Sequence, residues 1–226
     1  RSSDPPSSSN GDDSLVAAAG SNGVVVVWNA RHALLGELSD NSKPSDDLLS
    51  SIGQPEAVLV EHSRAVHRLA WHPSPQRPGL LLTASQDATV KLWHRQASTR
   101  LPKPTPTRNA PLPAKRKGLR SWLAVPSSKD SPTEDTRTTT YSWQCTKTFS
   151  PKSEAVRDIR WSPFFHDAFA MVTDSGALIV YDIRFSHEPW VKERSAHPGE
   201  ATTVDWHPTR KYVIATGGGR DRNVKV

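Results

Sequence analysis

The chain has 226 residues, of which 35% are hydrophobic and 19 are proline, and its formal net charge is +6. That length suits one or two domains, but so few apolar residues and so many prolines predict that part of the chain stays unfolded. Its one cysteine, Cys145, excludes an intramolecular disulfide and a cysteine-based zinc site, and fits a reducing compartment; no apolar run approaches the ~20 residues that cross a bilayer.

The charge is uneven. Residues 95–137 carry ten Lys/Arg against three Asp/Glu, and the rest of the chain is close to neutral. A nucleic-acid reading based on the overall basic balance therefore fails.

In chain order, residues 1–14 (RSSDPPSSSNGDDS) lack periodicity and read as a disordered lead-in, not a signal peptide. Residues 15–29 (LVAAAGSNGVVVVWN) predict a buried hairpin, because Asn22-Gly23 tolerates positive φ and Val24–Val27 are β-branched. Residues 30–55 predict a strand fragment around Leu34-Leu35 and then a long loop. Residues 56–94 hold one complete repeat. AVLVEH enters as a strand, and AVHRLAWHP follows with Val66, Leu69 and Trp71 as anchors. After a Pro-rich turn, LLLTAS and TVKLW flank Gln86-Asp87.

Residues 95–140 are rich in Pro, Ser and Thr and too polar to offset their ordering entropy, which predicts a disordered, basic insert. YSWQCTKTF at 141–149 alternates as an outer strand should. SEAVRDIRWSPF at 153–164 repeats the Trp-x-Pro pattern, AFAMVTDSGALIVYD at 168–182 repeats the ribbon, and EPWVKE at 188–193 predicts another outer strand. HPGEATTVDWHP and YVIATGGGRDRNVKV begin a further repeat.

Superposing Trp71, Trp161 and Trp206 brings Leu69, Ile159 and Val204 together, along with Pro73, Pro163 and Pro208. Superposing Trp93, Trp28 and Tyr181 aligns Asp87 with Asn22 and Ser175. Trp161 and Trp206 lie 45 residues apart, the period of a propeller blade; the insert accounts for the 90 residues between Trp71 and Trp161.

These residues resemble the WD40 family. The resemblance implies an all-β, WD40-type β-propeller, incomplete over 15–226, with about two full blades and partial blades at both ends. A closed ring needs more blades, so either another chain completes it or, as is expected here, the sequence is a fragment. The resemblance also implies a structural hydrogen-bond tetrad of His62, Asp87, Trp93 and the hydroxyl of Ser85 or Thr83. His197 and Asp221 fit the same set, whose Trp would fall just after Val226. The blade around Trp161 has Lys152 and Ser175 at the tetrad positions, which predicts a blade held mainly by apolar packing.

NGVVVVWNARHALLGEL, VEHSRAVHRLAWHP with SQDATVKLW, SEAVRDIRW, and AHPGEATTVDWHP with ATGGGRDRNVKV together resemble the N-terminal propeller of one subfamily. This is the WD-repeat and RING subunit of SEA/GATOR assemblies, called in fungi the restriction-of-telomere-capping protein. That resemblance implies a scaffold subunit at the cytoplasmic face of the vacuole or lysosome, acting in amino-acid signalling to the target of rapamycin complex. Its partners would be other protein subunits, including other β-propeller proteins, with membrane association only through the complex. The subfamily's cysteine-rich RING domain is not in this chain.

No chemistry competes with this reading. No G-x-S-x-G elbow is present, and no Lys-Ser/Thr follows Gly217-Gly218-Gly219. The five-residue spacing of His62, His67 and His72 alternates faces in a strand and completes no metal set. No catalytic residue, cofactor, metal or small-molecule substrate is expected, and nucleic acid is disfavoured as a partner. His67, Arg68, Arg157, Asp158, Thr202 and Thr203 align at one end of the inner strands and are the candidate interface, although Asp158 also suits a structural salt bridge. Arg108, Lys115, Arg116, Lys117 and Arg120 form a basic patch in the insert. The alternative function is a WD-repeat substrate adaptor, or a factor using that patch to bind nucleic acid or anionic lipid.

Overall fold

The computed structural model describes residues 14–30, 54–99, 139–151 and 154–226. The readings on 1–13, on 31–53 with Leu34-Leu35, on Lys152 and on 100–138 with its basic patch fall outside these residues. The strand ends do reach into the tract read as insert, since β-pairing continues through Thr99 and resumes at Thr139.

The described residues are all-β, in four antiparallel sheets. The first holds β1 (Leu15–Ala19), β2 (Val25–Asn29) and β3 (Ala57–Leu59). The second holds β4 (Val66–Trp71), β5 (Leu80–Ser85), β6 (Val90–Thr99) and β7 (Thr139–Phe149). The third holds β8 (Val156–Trp161), β9 (Ala168–Thr173), β10 (Leu178–Asp182) and β11 (Val191–Glu193). The fourth holds β12 (Ala201–Trp206), β13 (Ile214–Gly218) and β14 (Val224–Lys225). In each sheet the strands follow chain order.

The repeat and the sheet are out of phase. AVL, the first strand of the sequence repeat, pairs with β2 and closes the preceding sheet. The complete second sheet then draws its outer strand from YSWQCTKTF, beyond the insert. β1 aligns with β5 and not with β4, so the first sheet has no innermost strand among the described residues. The fourth has no outermost one among the described residues. Two full blades lie between two partial ones.

Why LLLTAS and AFAMVT are continuously buried follows from the stacking of the sheets. β-strand side chains alternate faces. Leu80, Leu82 and Ala84 enter a cluster with Ile159, Phe169 and Met171 of the third sheet, while Leu81 faces Val25, Val27 and Leu59 of the first. In β9, Phe169 and Met171 face the second sheet, and Ala170 and Val172 face Ala201, Val204 and Trp206 of the fourth. The core is therefore three layers, each between successive sheets. A middle strand is apolar on both faces because both are covered.

Two backbone features repeat with the blades. Each inner strand carries a bulge between aligned residues: Val66/Arg68, Val156/Asp158 and Ala201/Thr203. Each turn after the middle strand has positive φ at one aligned position: Gly23 at 84°, Ala88 at 67°, Gly176 at 82° and Arg222 at 55°. The expected Asn22-Gly23 hairpin forms, but β1 is half-exposed rather than buried, and five residues separate the strands, closed by Gly20 N–H donating to Val24 O at 2.8 Å.

Candidate functional site

His62, between β3 and β4, is buried. Its Nδ1 lies 2.8 Å from Asp87 Oδ2 and its Nε2 2.6 Å from Thr83 Oγ1, while Trp93 Nε1 donates to Thr83 Oγ1 at 3.0 Å. One proton arrangement satisfies every group. The indole donates to the threonine oxygen, the threonine hydroxyl donates to Nε2, and Nδ1–H donates to the carboxylate. Asp87 also accepts from Ser63 N–H, Thr89 N–H and Thr89 Oγ1.

Burial pushes the His62 pKa below its ordinary 6.5, only partly opposed by the Asp87 hydrogen bond. For Asp87, burial works against the carboxylate. Hydrogen bonds from Thr89, His62 and Ser63 outweigh it and hold the pKa below 3.8.

Of the two hydroxyls left open, the one in the tetrad is that of Thr83 and not that of Ser85. Trp93 pairs across the ladder with Leu81, so Thr83 is its diagonal neighbour two residues on, and Ser85 lies two residues further along β5. Ser85 Oγ instead donates to Arg64 O at 3.1 Å and accepts from Asp87 N–H at 3.1 Å, which shapes the turn.

His197 repeats the arrangement, with Asp221 Oδ2 at 2.8 Å and Thr216 Oγ1 at 2.9 Å. The His197 hydrogen bond lowers the Asp221 pKa. A Cβ on Gly218 would strike both Asp221 and His197, so glycine is required there.

The third sheet, expected to be held mainly by apolar packing, places Ile159, Phe169, Met171, Ile179 and Tyr181 in the core and also carries a polar set. Glu154 accepts from Thr173 Oγ1 at 3.0 Å and from Ser175 Oγ at 2.6 Å. A carboxylate with two hydroxyl donors thus braces the turn, where by register Thr173 is the counterpart of Ser85, while Met171 takes the position of Thr83. Tyr181 replaces the tryptophan and packs against Phe149 and Phe169. Glu154 aligns with Arg64 and not with His62, so position-by-position comparison of the repeats passes over it.

The candidate interface residues sit at the bulges of the inner strands, and most link one blade to the next. His67 Nδ1–H donates to Val156 O at 3.0 Å. Asp158 is 5% exposed; its Oδ2 accepts from Thr203 Oγ1 and Val204 N–H, each at 3.1 Å. Arg68 Nε lies 3.1 Å from Asp158 Oδ1 with its N–H off the carboxylate line, an attraction of charge rather than a hydrogen bond. Arg157 pairs with Asp174 and reaches Glu200 at 3.6 Å. Thr202 Oγ1 donates to Gly217 O at 3.2 Å. The rim left to a partner is the half-exposed faces of Arg68 and Arg157 and the exposed threonines.

The aligned tryptophans make a second inter-blade link. Trp161 Nε1 donates to Ala70 O at 3.0 Å, and Trp206 Nε1 to Arg160 O at 3.2 Å, in each case the residue before the preceding blade's inner tryptophan. The alignment marked these positions without revealing their partner. His72 donates through Nε2 to His166 O at 2.7 Å and accepts Ser74 N–H at Nδ1. His62, His67 and His72 therefore have separate partners. Among the described residues no three His, Cys, Asp or Glu side chains gather as a metal site would require.

The WD domain, G-beta repeat model matches residues 53–94 and 190–226. The chain is 30% identical over 208 residues to GATOR2 complex protein WDR24 of Homo sapiens, covering 91% of this chain and 18% of that protein. It is 26% identical over 185 residues to Restriction of telomere capping protein 1 of Kluyveromyces lactis, covering 76% of this chain and 11% of that one. The chain thus spans less than a fifth of the length of either relative. A crystal structure of the mitotic checkpoint complex contains a similar fold, with a TM-score of 0.53 at 14% identity over 91% of this chain and 42% of that one. The chain carries WD40 repeats and forms a partial WD40-type β-propeller, with modest identity to the GATOR2 subunit WDR24 and to the fungal Restriction of telomere capping protein 1.

Proposed function

We propose that this chain is a non-enzymatic scaffold module of a SEA/GATOR-like complex, which acts at the vacuolar or lysosomal surface in amino-acid signalling to the target of rapamycin complex. One observation carries the reading. Similarity to a protein named as a GATOR2 component runs through 91% of the chain, not through the generic repeat segments alone. The polar groups at the tetrad positions support it, because they are spent on one another and on the backbone, as a rigid docking frame requires. The direct partners would be other subunits, with β-propeller proteins among them, and the membrane would be reached through the complex.

The test is affinity purification of the intact protein with and without residues 100–138. A stable set of co-purifying subunits, retained after the deletion and found at the vacuolar or lysosomal surface, is the expected result. Loss of that set on deletion would move binding to the basic tract and favour the adaptor or anionic-ligand reading.

A further inference from the structure

A cleft of about 650 Å³ opens between β7 and the loop joining β10 to β11, with Lys147, Arg184, Phe185, His187, Pro189 and Trp190 in its walls. Phe185 is 64% exposed and Trp190 56%, an unusual cost for side chains of that size unless something covers them. The aromatic surface continues past the cleft. Trp190 meets Phe165 edge-on at 5.5 Å, and Phe165 meets Tyr212 at 5.3 Å, the latter 78% exposed.

The cleft is pre-formed. Lys147 Nζ donates to Ile183 O at 2.6 Å and Arg184 O at 2.9 Å, and Trp190 N–H donates to Val180 O at 2.7 Å, so the loop is pinned at both ends. Asp182 fixes Arg184 through paired contacts, including 2.6 Å from Nη2. A site that needs no ordering on binding retains more of its contact energy.

Cations outnumber carboxylates around the aromatics, where Glu188 and Glu193 are the exposed acids. Lys192 lies in β11 two residues after Trp190, Arg194 lies beyond that strand, and Arg210-Lys211 directly precede Tyr212; all four are exposed. Among the described residues none of the four makes an ion pair with a carboxylate. Asp182 and Asp167, by contrast, are taken up by Arg184 and Arg77. Glu188 is the exposed carboxylate in the cleft wall.

From this juxtaposition we infer that the cleft docks an acidic segment of a partner protein, which inserts an aromatic or proline side chain between Phe185 and Trp190 and lays its carboxylates against Lys192, Arg210 and Lys211. Buried aromatic and arginine anchors inside a charged rim are the usual source of affinity in such contacts. Single-stranded nucleic acid fits the charge but not the rings. Trp190 and Phe165 stand at 81° to each other, and the stacking of successive bases wants open parallel faces. The inference does not depend on which complex the chain serves.

The experiment is fluorescence anisotropy on the intact protein with a labelled peptide in which glutamates flank a central phenylalanine–proline pair. Saturable binding that weakens with salt is expected. Trp190→Ala should weaken it about tenfold, and Lys211→Glu by roughly twofold to fivefold. Lys211 is exposed, so its variant tests the charge arm even if Trp190→Ala lowers the melting temperature. The proposal is overturned by no saturable binding, by equal binding of a lysine-flanked peptide, or by folded variants that bind as the parent does. It is also overturned if labelled oligouridylate binds more tightly and loses its affinity in the same variants.

Discussion

Thr83 Oγ1 is the atom on which the first tetrad turns, because it accepts from Trp93 and donates to His62 at once. Thr83→Val keeps the shape and removes both bonds, leaving a buried indole N–H and an imidazole nitrogen unpaired. The expected loss is about 2–4 kcal/mol by chemical denaturation. Ser85→Ala, which disturbs only the turn, should cost about 1 kcal/mol; equal losses would contradict the assignment of Thr83. Asp87→Ala strands the His62 and Thr89 donors together and should lower the melting temperature by more than Ser85→Ala does.

The pH dependence at this residue follows from the direction of the shifts. His62 has a folded pKa below 6.5, so its contribution is present above 6.5 and wanes as the pH falls, when the unfolded chain takes up a proton the folded site resists. Asp87 is also depressed, and its contribution lasts until the pH falls through 3.8 toward the folded value. NMR titration should place the His62 midpoint below 6.5; a midpoint above it would contradict the neutral, Nδ1-protonated ring. The sequence showed that a hydroxyl belongs at this site. It could not choose between Thr83 and Ser85, because residues two apart share a face and only the pairing of Leu81 with Trp93 sets the distance.

At the scale of the blade, the turns carry the sharpest constraint. Gly176 has φ of 82°, and a Cβ there would run into the carbonyl oxygens of His197 and Gly199. Gly176→Ala should therefore destabilise by about 2–4 kcal/mol through strain and overpacking. Ala88 holds the aligned position at 67°. Ala88→Gly should be neutral or stabilise by up to ~1 kcal/mol, since relief of the left-handed strain competes with backbone entropy. A lowered melting temperature for Gly176→Ala and no loss for Ala88→Gly is the check. The third blade shows the limit of comparing repeats. Its missing histidine and aspartate were legible, but the Glu154 carboxylate reaches Thr173 and Ser175 from a position the other blades use differently.

Across the molecule, stability rests on links between successive sheets. Asp158 in β8 bonds Thr203 and Val204 of β12 and attracts Arg68 of β4, joining three blades through one buried carboxylate. Asp158→Ala should cost about 3–5 kcal/mol, because Val204 N–H loses its partner and Arg68 its counter-charge. Amide hydrogen exchange should quicken in both β8 and β12. Acceleration confined to β8 would mean the carboxylate serves only its own strand.

The sequence by itself determined the repeat, the strands within it, and the tetrad members whose chemistry is fixed by residue type. These are local or periodic properties, and a period survives in one dimension. Tertiary structure alone decided which hydroxyl closes the tetrad, that the rim carboxylate fastens blades together, and that Phe185 and Trp190 share a cleft with Lys147. Each depends on register or on contact between sheets, where residues distant in the chain meet at a few ångströms. No spacing along the chain encodes that distance.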